Sequence, residues 1–334
     1  MEGVLTGRRR YSLTPRLYEL VTLLHIGILF VAIRVLLRIP ILPLRSHDGL
    51  FGFWVLAAEC VAGGVAVRWL FLRLRRGPRR ASAFLALWRR PRCLGDAIRF
   101  VVFAGLVSYG YAWLKLFLPL FRTALYDDFY YRIDNIVHLG VNPNRFVLAL
   151  LPFETVWKAV DEQYALFFLS MMLGIAWFGS TPRVSERARF GGGFALLWLA
   201  GSWLYLATPC LGPCYVFPAE YAAVKKVAVK QASLQGALIR QYAGLRAFAR
   251  TGEGSPSVNP IWGVAAMPSL HVAGQAFLAF FARRRWPLAS RLFAVMTAMT
   301  FFGSLVTGWH YAVDGYVGVL LALAAAWFAE RSRP

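Results

Sequence analysis

Two histidines lie in short motifs whose residue types and spacing suit the transfer of a phosphoryl group. His271 ends the segment P-S-L-H at 268–271, at the start of an apolar run. Pro268 suits the first position of a helix, and Ser269 can help to satisfy the unpaired amides there. The free amides and the positive dipole end of such a helix attract phosphate. We therefore expect Ser269 to contact the substrate and His271 to lie beside a bound phosphate.

The second motif places a carboxylate four residues after a histidine. His310 and Asp314 occur in H-Y-A-V-D at 310–314, and this spacing puts two side chains on one face of a helix. Such an Asp can fix the tautomer of the imidazole and raise its basicity, as in catalytic triads. Two alternatives are histidines that only satisfy helix termini, and a zinc site formed by both histidines and Asp314. Because the motifs contain no further acidic ligand, we predict catalysis by His271, His310 and Asp314 without a metal.

The composition indicates that these motifs are positioned by membrane-spanning helices. The chain has 334 residues, of which 58% are hydrophobic and 16% charged, and its mean hydropathy is +0.53. Crossing a hydrocarbon core takes about 20 apolar residues of helix. The sequence therefore predicts an all-α, polytopic membrane helix bundle of about eight transmembrane helices. The apolar runs lie near 17–37, 49–72, 98–121, 161–179, 191–208, 263–282, 290–307 and 311–328.

Basic residues predict the orientation of the bundle. The formal net charge is +21, and arginine-rich segments follow the second, fourth and sixth runs and lie near both ends of the chain. Short loops rich in Lys and Arg stay in the cytoplasm, so both termini are predicted to be cytoplasmic and both motifs extracytoplasmic. The composition is compatible with a bacterial inner membrane. Nucleic-acid binding is disfavoured, because the basic clusters flank apolar runs and carry no nucleic-acid-binding signature.

The chain is expected to divide into two parts. Residues 1–96 would form two N-terminal transmembrane helices with a basic cytoplasmic loop, and residues 97–334 a six-helix catalytic domain. Two longer segments, 122–160 and 209–262, fall on the outer side. We expect interfacial helices in the first and an amphipathic helix across 220–250 in the second. Cys210 and Cys214 of C-L-G-P-C could form a disulfide there, although their spacing does not decide it.

The two motifs resemble those of the type 2 phosphatidic acid phosphatase superfamily, and more narrowly its branch of inositol phosphorylceramide synthase-like lipid phosphotransferases. P-S-L-H, H-Y-A-V-D and the helical hairpin between them carry the resemblance, which covers about 120–330. The segment A-T-P-C-L-G-P-C-Y at 207–215 is similar to a Pro/Gly/Tyr segment of that branch. The region with Asp127, Asp134 and Pro143 resembles a weaker family feature.

The resemblance implies a role for each residue of the two motifs. His310 would be the nucleophile that forms a phosphohistidine, and Asp314 would orient it. His271 would protonate the leaving oxygen and then activate the acceptor hydroxyl or water; the chemistry needs no metal or other cofactor. We also assign Tyr215 and Tyr311, which lie within the similar segments, to the substrate-binding site.

Basic residues that hold phosphate in the phosphatase branch are missing here. That branch carries a Lys and an Arg-Pro pair upstream, and an Arg six residues before the nucleophilic histidine. In this chain 207–215 contains no basic residue, and Ser304 occupies the last of these positions. We predict Arg246 as a substrate-binding replacement. Other basic residues of the outer segments that could serve are Lys225, Lys226, Arg240, Arg250 and Arg132.

The sequence thus predicts a membrane enzyme that moves a phospho-headgroup, for example phosphoinositol, from a phospholipid donor to the hydroxyl of a lipid acceptor. Two alternatives stay open. One is a phosphatase that hydrolyses phosphatidyl or isoprenoid phosphates, and the other is a non-enzymatic lipid-binding membrane protein. Neither the headgroup nor the oligomeric state follows from the sequence.

Overall fold

The computed structural model describes residues 15–36, 47–164, 166–251, 259 and 263–332, and within these ranges it contains helices and no β-strand. The predicted all-α architecture is therefore confirmed. In chain order the helices are α1 Leu17–Val31, which continues into a π-helical turn at Ala32–Leu36, α2 His47–Arg76, α3 Pro78–Trp88, α4 Pro91–Phe121, α5 Asp127–Val137, α6 Pro143–Leu150, α7 Glu154–Tyr164, α8 Leu166–Gly179, α9 Val184–Ala207, α10 Pro213–Val216, α11 Ala222–Val227, α12 Val229–Thr251, α13 Leu270–Ala282, α14 Pro287–Val306 and α15 Ala312–Arg331.

Seven helical segments of the described chain are long and apolar enough to span a membrane. The predicted run at 263–282 is the exception, because residues 263–269 are not helical and only the short apolar helix α13 follows them. The polytopic membrane bundle is thus confirmed, with one helix shorter than predicted. The seven segments are Leu17–Val35, Phe51–Arg76, Pro91–Phe121, Glu154–Gly179, Val184–Ala207, Pro287–Val306 and Ala312–Arg331.

Helices α4, α9, α13 and α15 pack together at the centre of the bundle. Part of their core is an aromatic cluster in which the rings of Phe178, Phe277 and Phe281 lie 4.8, 5.7 and 5.6 Å from the ring of Phe190. A Cβ on Gly193 would come within 2.6 Å of the Phe277 ring. Lipid tails are as apolar as these side chains, so the hydrophobic effect does not drive helices together inside a membrane. Close packing over small residues such as Gly193 holds the helices together instead.

Buried charge ties the helices together at the end of the bundle where α9 begins. The guanidinium of Arg187 is fully buried and lies 2.9 Å from the carboxylate of Asp96 on α4. It also donates to the carbonyl oxygens of Gly179 at 2.9 Å and Cys93 at 3.1 Å. Asp96 accepts a second charged hydrogen bond from Arg16, just before α1. Removing one partner of such a buried group leaves the other uncompensated, so these contacts fix α1, α4 and α9 relative to one another.

Short helices cover the opposite end of the bundle. The segment 122–160 forms α5, α6 and the start of α7, and 209–251 forms α10, α11 and α12. The helix expected across 220–250 is present as α11 and α12, and α12 packs against α4 and α7. The end of this segment, residues 252–258 and 260–262, lies outside the described residues. Helix α4 runs across position 96/97, the expected domain boundary, and packs against both α2 and α9.

Candidate active site

His310 lies in a tight turn between α14 and α15 rather than on a helix, which corrects the expectation from its spacing. Gly308 adopts a φ of +70°, and α15 begins two residues after His310. Asp314 in the first turn of α15 reaches back, so that its Oδ2 accepts the Tyr311 amide at 2.9 Å and lies 3.4 Å from Nδ1 of His310. The carboxylate therefore faces the imidazole nitrogen that it must orient, and both side chains are buried.

His271 occupies the first turn of α13, as predicted, but the helix begins later than expected. Pro268 lies two residues before Leu270, and Ser269 is the N-cap, whose hydroxyl accepts the Val272 amide at 3.4 Å. The Ser269 amide in turn donates to the carbonyl oxygen of Asp314 at 2.9 Å. This backbone bond joins the two histidine motifs directly.

The two imidazoles meet edge to face. Nε2 of His310 lies 3.4 Å from Nδ1 of His271, and the ring planes are inclined by 79°. The hydroxyl of Tyr164, at the end of α7, lies 2.8 Å from the same Nδ1 of His271. A proton on Nδ1 of His310, the nitrogen that faces Asp314, would leave on Nε2 the lone pair that a nucleophile needs.

Two further aspartates hold the backbone around this pair. Asp134 accepts the amides of Ala312 at 2.7 Å and Val313 at 2.9 Å, and so caps the start of α15. Asp127 accepts the amides of Leu211 and Gly212 at 2.9 to 3.1 Å. Burial raises the pKa of both carboxyls, and the amide donors oppose that shift. These are the aspartates of the weaker sequence feature, and they position the two loops that flank the histidines.

Burial makes His310 a neutral imidazole. Burial and, second, the positive charge of Lys115 lower the pKa of His310 from 6.5 to about 3. A neutral imidazole has a free lone pair at neutral pH, which is the state required for attack on phosphorus.

A cavity of about 460 Å³ opens from the histidine pair into the bundle. Its polar end contains His271, His310, Tyr164, Gln231 and Lys115. Its remaining wall is apolar and comes from α2, α4, α8, α9 and α12. The volume lies in the range of ligand-binding sites, and the lining suits a molecule with one polar end and an apolar tail. Representative apolar lining residues are Phe53, Leu56, Phe168, Met172, Trp198 and Leu238.

None of the four predicted substrate-binding residues lines this cavity. Ser269 is fully buried as the N-cap of α13. The hydroxyl of Tyr311 donates to Asp127 at 3.1 Å, so this side chain fixes the fold behind the site. Tyr215 packs its ring edge to face against Trp309 at 6.1 Å. Arg246 donates to the carbonyl oxygen of Arg122 at 3.2 Å. The guanidinium of Arg246, which we predicted to bind the substrate, is thus hydrogen-bonded to the end of α4.

The sequence analysis missed three residues of the polar end, which are Tyr164, Gln231 and Lys115. Tyr164 and Lys115 lie within apolar runs, Gln231 lies in the outer segment 209–262, and none of them carries a motif of its own. Tyr164 and Lys115 could have been found from the sequence because a polar side chain within a membrane-spanning helix is a functional candidate by default.

The segment 207–215 packs around the histidine turn through its backbone. Cys214 donates its amide to the Gly308 carbonyl oxygen at 2.9 Å, and the carbonyl oxygen of Cys210 accepts the Ala266 amide at 3.0 Å. Both thiols are buried and free, so the disulfide that the spacing left open is not formed. Across the described ranges, no three His, Cys, Asp or Glu side chains converge in a way that could hold a metal ion.

Part of the chain matches a known protein family. Residues 131–328, which include both histidine motifs, match the family model described as the PAP2 superfamily. The chain belongs to the PAP2 superfamily. Its members are generally phosphatases and phosphotransferases, and with the membrane bundle this supports a function as a lipid phosphatase or phosphotransferase. No curated protein and no solved structure matches the chain.

Replacing Tyr164 with Phe should reduce kcat by about tenfold and leave KM nearly unchanged, because His271 loses the hydrogen bond that orients its ring. Turnover of a lipid phosphate ester by the purified protein measures both constants. Tyr316→Phe is the matched control, since the Tyr316 hydroxyl makes an equally short 2.8 Å bond to His138 outside the cavity. Equal kcat values for the two variants would contradict a role of Tyr164 in positioning His271.

Proposed function

We propose that the protein transfers a phospho-headgroup, with phosphoinositol as one candidate, from a phospholipid to a lipid hydroxyl through a phosphohistidine on His310. The observation that carries the proposal is the 3.4 Å approach of the His310 and His271 nitrogens at the polar end of an apolar cavity. A nucleophile and a proton carrier within reach of one another, beside a space for a lipid, are the parts that this reaction needs.

In the first step, Nε2 of His310 attacks the phosphorus, and the bond between phosphorus and the oxygen of the departing lipid alcohol breaks. Burial lowers the pKa of His271, so this imidazole takes up a proton as the anionic phosphate binds beside it. It then gives that proton to the departing oxygen, so a neutral alcohol leaves. Asp314, 3.4 Å from Nδ1 of His310, balances the positive charge that the imidazole acquires. Because the two imidazoles lie within 3.4 Å, the phosphate must enter beside their line of contact or separate them.

In the second step, His271 removes the proton from the acceptor hydroxyl, whose oxygen attacks the phosphorus while the bond to Nε2 of His310 breaks. The proton is then again on His271 and the cycle is closed. Tyr164, 2.8 Å from Nδ1 of His271, keeps the ring in place through both steps.

The apolar wall of the cavity favours a lipid hydroxyl over water as the acceptor. A site that excludes water protects a reactive intermediate from hydrolysis. A lipid acceptor can enter such a space, whereas a free phosphatase needs water to reach the phosphorus.

We further propose that the site faces the extracytoplasmic side of a bacterial inner membrane. Arginines cluster at the other end of the bundle, where Arg283 and Arg284 pair with Glu330, and Arg285 pairs with Glu186. Basic residues of this kind stay in the cytoplasm. Alkaline phosphatase, which is active only outside the cytoplasm, should be active when fused after residue 216 and inactive when fused after residue 334. The reverse pattern would refute this orientation.

Replacing His310 with Gln should abolish headgroup transfer, with a loss of about a thousandfold or more, because the nucleophile is gone. The assay combines the purified protein, phospholipids with a labelled headgroup and a ceramide or diacylglycerol acceptor. His138→Gln is the control, since His138 lies outside the cavity. Transfer by the His310 variant at the wild-type rate would rule out the phosphohistidine. Release of the headgroup to water without any acceptor would instead favour the hydrolase.

Activity should persist on acidification through pH 6.5, the ordinary pKa of histidine. The pKa of His310 is lowered to about 3, so the free enzyme keeps the neutral nucleophile well below its usual titration range. For a phosphodiester lipid, we expect no loss of kcat/KM attributable to His310 between about pH 8 and about pH 5. A His271→Gln background, in which residual rates report His310, separates the two imidazoles. An acid limb near 6.5 in that background would contradict a neutral, buried His310.

A further inference from the structure

A phosphate bound in this cavity needs a positive charge, and we propose that Lys115 on α4 supplies it by binding the phosphate group of the lipid. The inference rests on the proposed function and adds a residue to its site. Lys115 precedes residues 131–328, the part of the chain that matches the superfamily. Helix α4 would thus add a residue from outside that matched region to the active site.

Lys115 lies on the face of α4 that lines the cavity. Ala104, Ser108, Ala112 and Lys115 all line the cavity, and their spacing of three or four residues places them on one face of the helix. At 1.5 Å per residue, this row is about 17 Å long. It begins with small side chains among the apolar walls and ends with an ammonium group that shares the polar end with the histidines. An amphiphile with one anionic end matches that order.

The charge of Lys115 also acts on the histidine pair. The charge of Lys115 is close enough to lower the pKa of His310, after burial the largest cause of that shift. A cation within range of the nucleophilic nitrogen is also within range of the phosphorus that this nitrogen attacks. Such a fixed charge attracts the phosphate oxygens in the bound substrate as well as in the transition state.

The ammonium group of Lys115 has no carboxylate partner among the described residues. None of the salt bridges among the described residues includes Lys115. Nζ makes a long 3.4 Å contact with the Tyr111 hydroxyl, and it lies 5.8 and 5.6 Å from the ring centres of Tyr111 and Tyr205. Two aromatic faces compensate part of the cost of a charge in an apolar site, and a phosphate oxygen would compensate more.

Other basic side chains of the outer segments are directed elsewhere. Lys225 donates to the carbonyl oxygen of Cys214 at 2.8 Å, and Lys230 pairs with Glu162 at 2.5 Å. Arg246 is bound to the carbonyl of Arg122, as described above. None of these three lines the cavity. Lys115 is therefore the cation that the geometry assigns to the phosphate.

A single lysine also bears on the class of substrate. A phosphodiester carries one negative charge, whereas a phosphomonoester approaches two above its second pKa of about 6. One ammonium balances the diester fully and the monoester by half. The charge of the site thus suits a phospholipid with an alcohol headgroup, which is the donor in the proposed transfer.

The test uses the purified full-length chain and compares Lys115→Met with Lys115→Arg and Lys115→Gln. Lys158→Met is the control, because Lys158 is exposed on α7 outside the cavity. Lys115→Met should raise the KM for a phosphodiester lipid by about tenfold to a hundredfold and change kcat less. Lys115→Arg should restore most of the affinity, because the positive charge is kept. Lys115→Gln repeats the measurement if the Met variant does not fold.

Binding of inorganic phosphate gives a readout that does not depend on turnover. Phosphate should raise the Tm of the wild type and of Lys158→Met, and Lys115→Met and Lys115→Gln should lose that increase. Unchanged KM and unchanged stabilisation by phosphate in both neutral variants would overturn the proposal and leave Lys115 as an interfacial lysine. A wild type that turns over no lipid but shows Lys115-dependent stabilisation would refute the transferase and still support Lys115.

Discussion

The site depends on one buried carboxylate, that of Asp314 in the first turn of α15. Its Oδ2 accepts the Tyr311 amide and faces Nδ1 of His310, while its backbone carbonyl accepts the Ser269 amide. One residue therefore joins the histidine turn, the helix that follows it and the P-S-L-H loop. The Tyr311 amide and the positive dipole end of α15 both favour a carboxylate at this position. Asp314 can thus face His310 through its place at the start of the helix.

The same arrangement supports the proposal that a side-chain cation binds the phosphate. The amides at the start of α15 are already used: Tyr311 donates to Asp314, and Ala312 and Val313 donate to Asp134. Nor are the amides of Leu211 and Gly212 available, since Asp127 accepts both. Three aspartates occupy backbone donors that could otherwise hold an anion. The three carboxylates hold the backbone around the histidines. Because these amides are occupied, the positive charge for the proposed phosphate would come from a side chain on another helix.

How much of this the sequence could predict depends on how local each signal was. The spans, the helical class and the superfamily followed from composition and from two short motifs, because each signal lies within a few residues. Lys115 and Tyr164 enter the site through the packing of α4 and α7 against it, and no spacing within the chain encodes that contact. The hydrogen bond of Arg246 was not predictable for the same reason, since its partner, the carbonyl of Arg122, is 124 residues away. The helix predicted from His310 to Asp314 was wrong because the carboxylate reaches back across the N-terminus of α15.

The N-terminal helices α1 and α2 share both the buried core and the cavity wall with the rest of the bundle. Tyr18 of α1 and Ala57 and Val61 of α2 belong to the same buried cluster as Phe190 and Phe277. Phe53 and Leu56 of α2 continue as one wall of the cavity. A lysine near membrane depth costs free energy unless an anion compensates its charge. The proposed phosphate would provide that compensation for Lys115, within a cavity that α2 and α4 build together with the core.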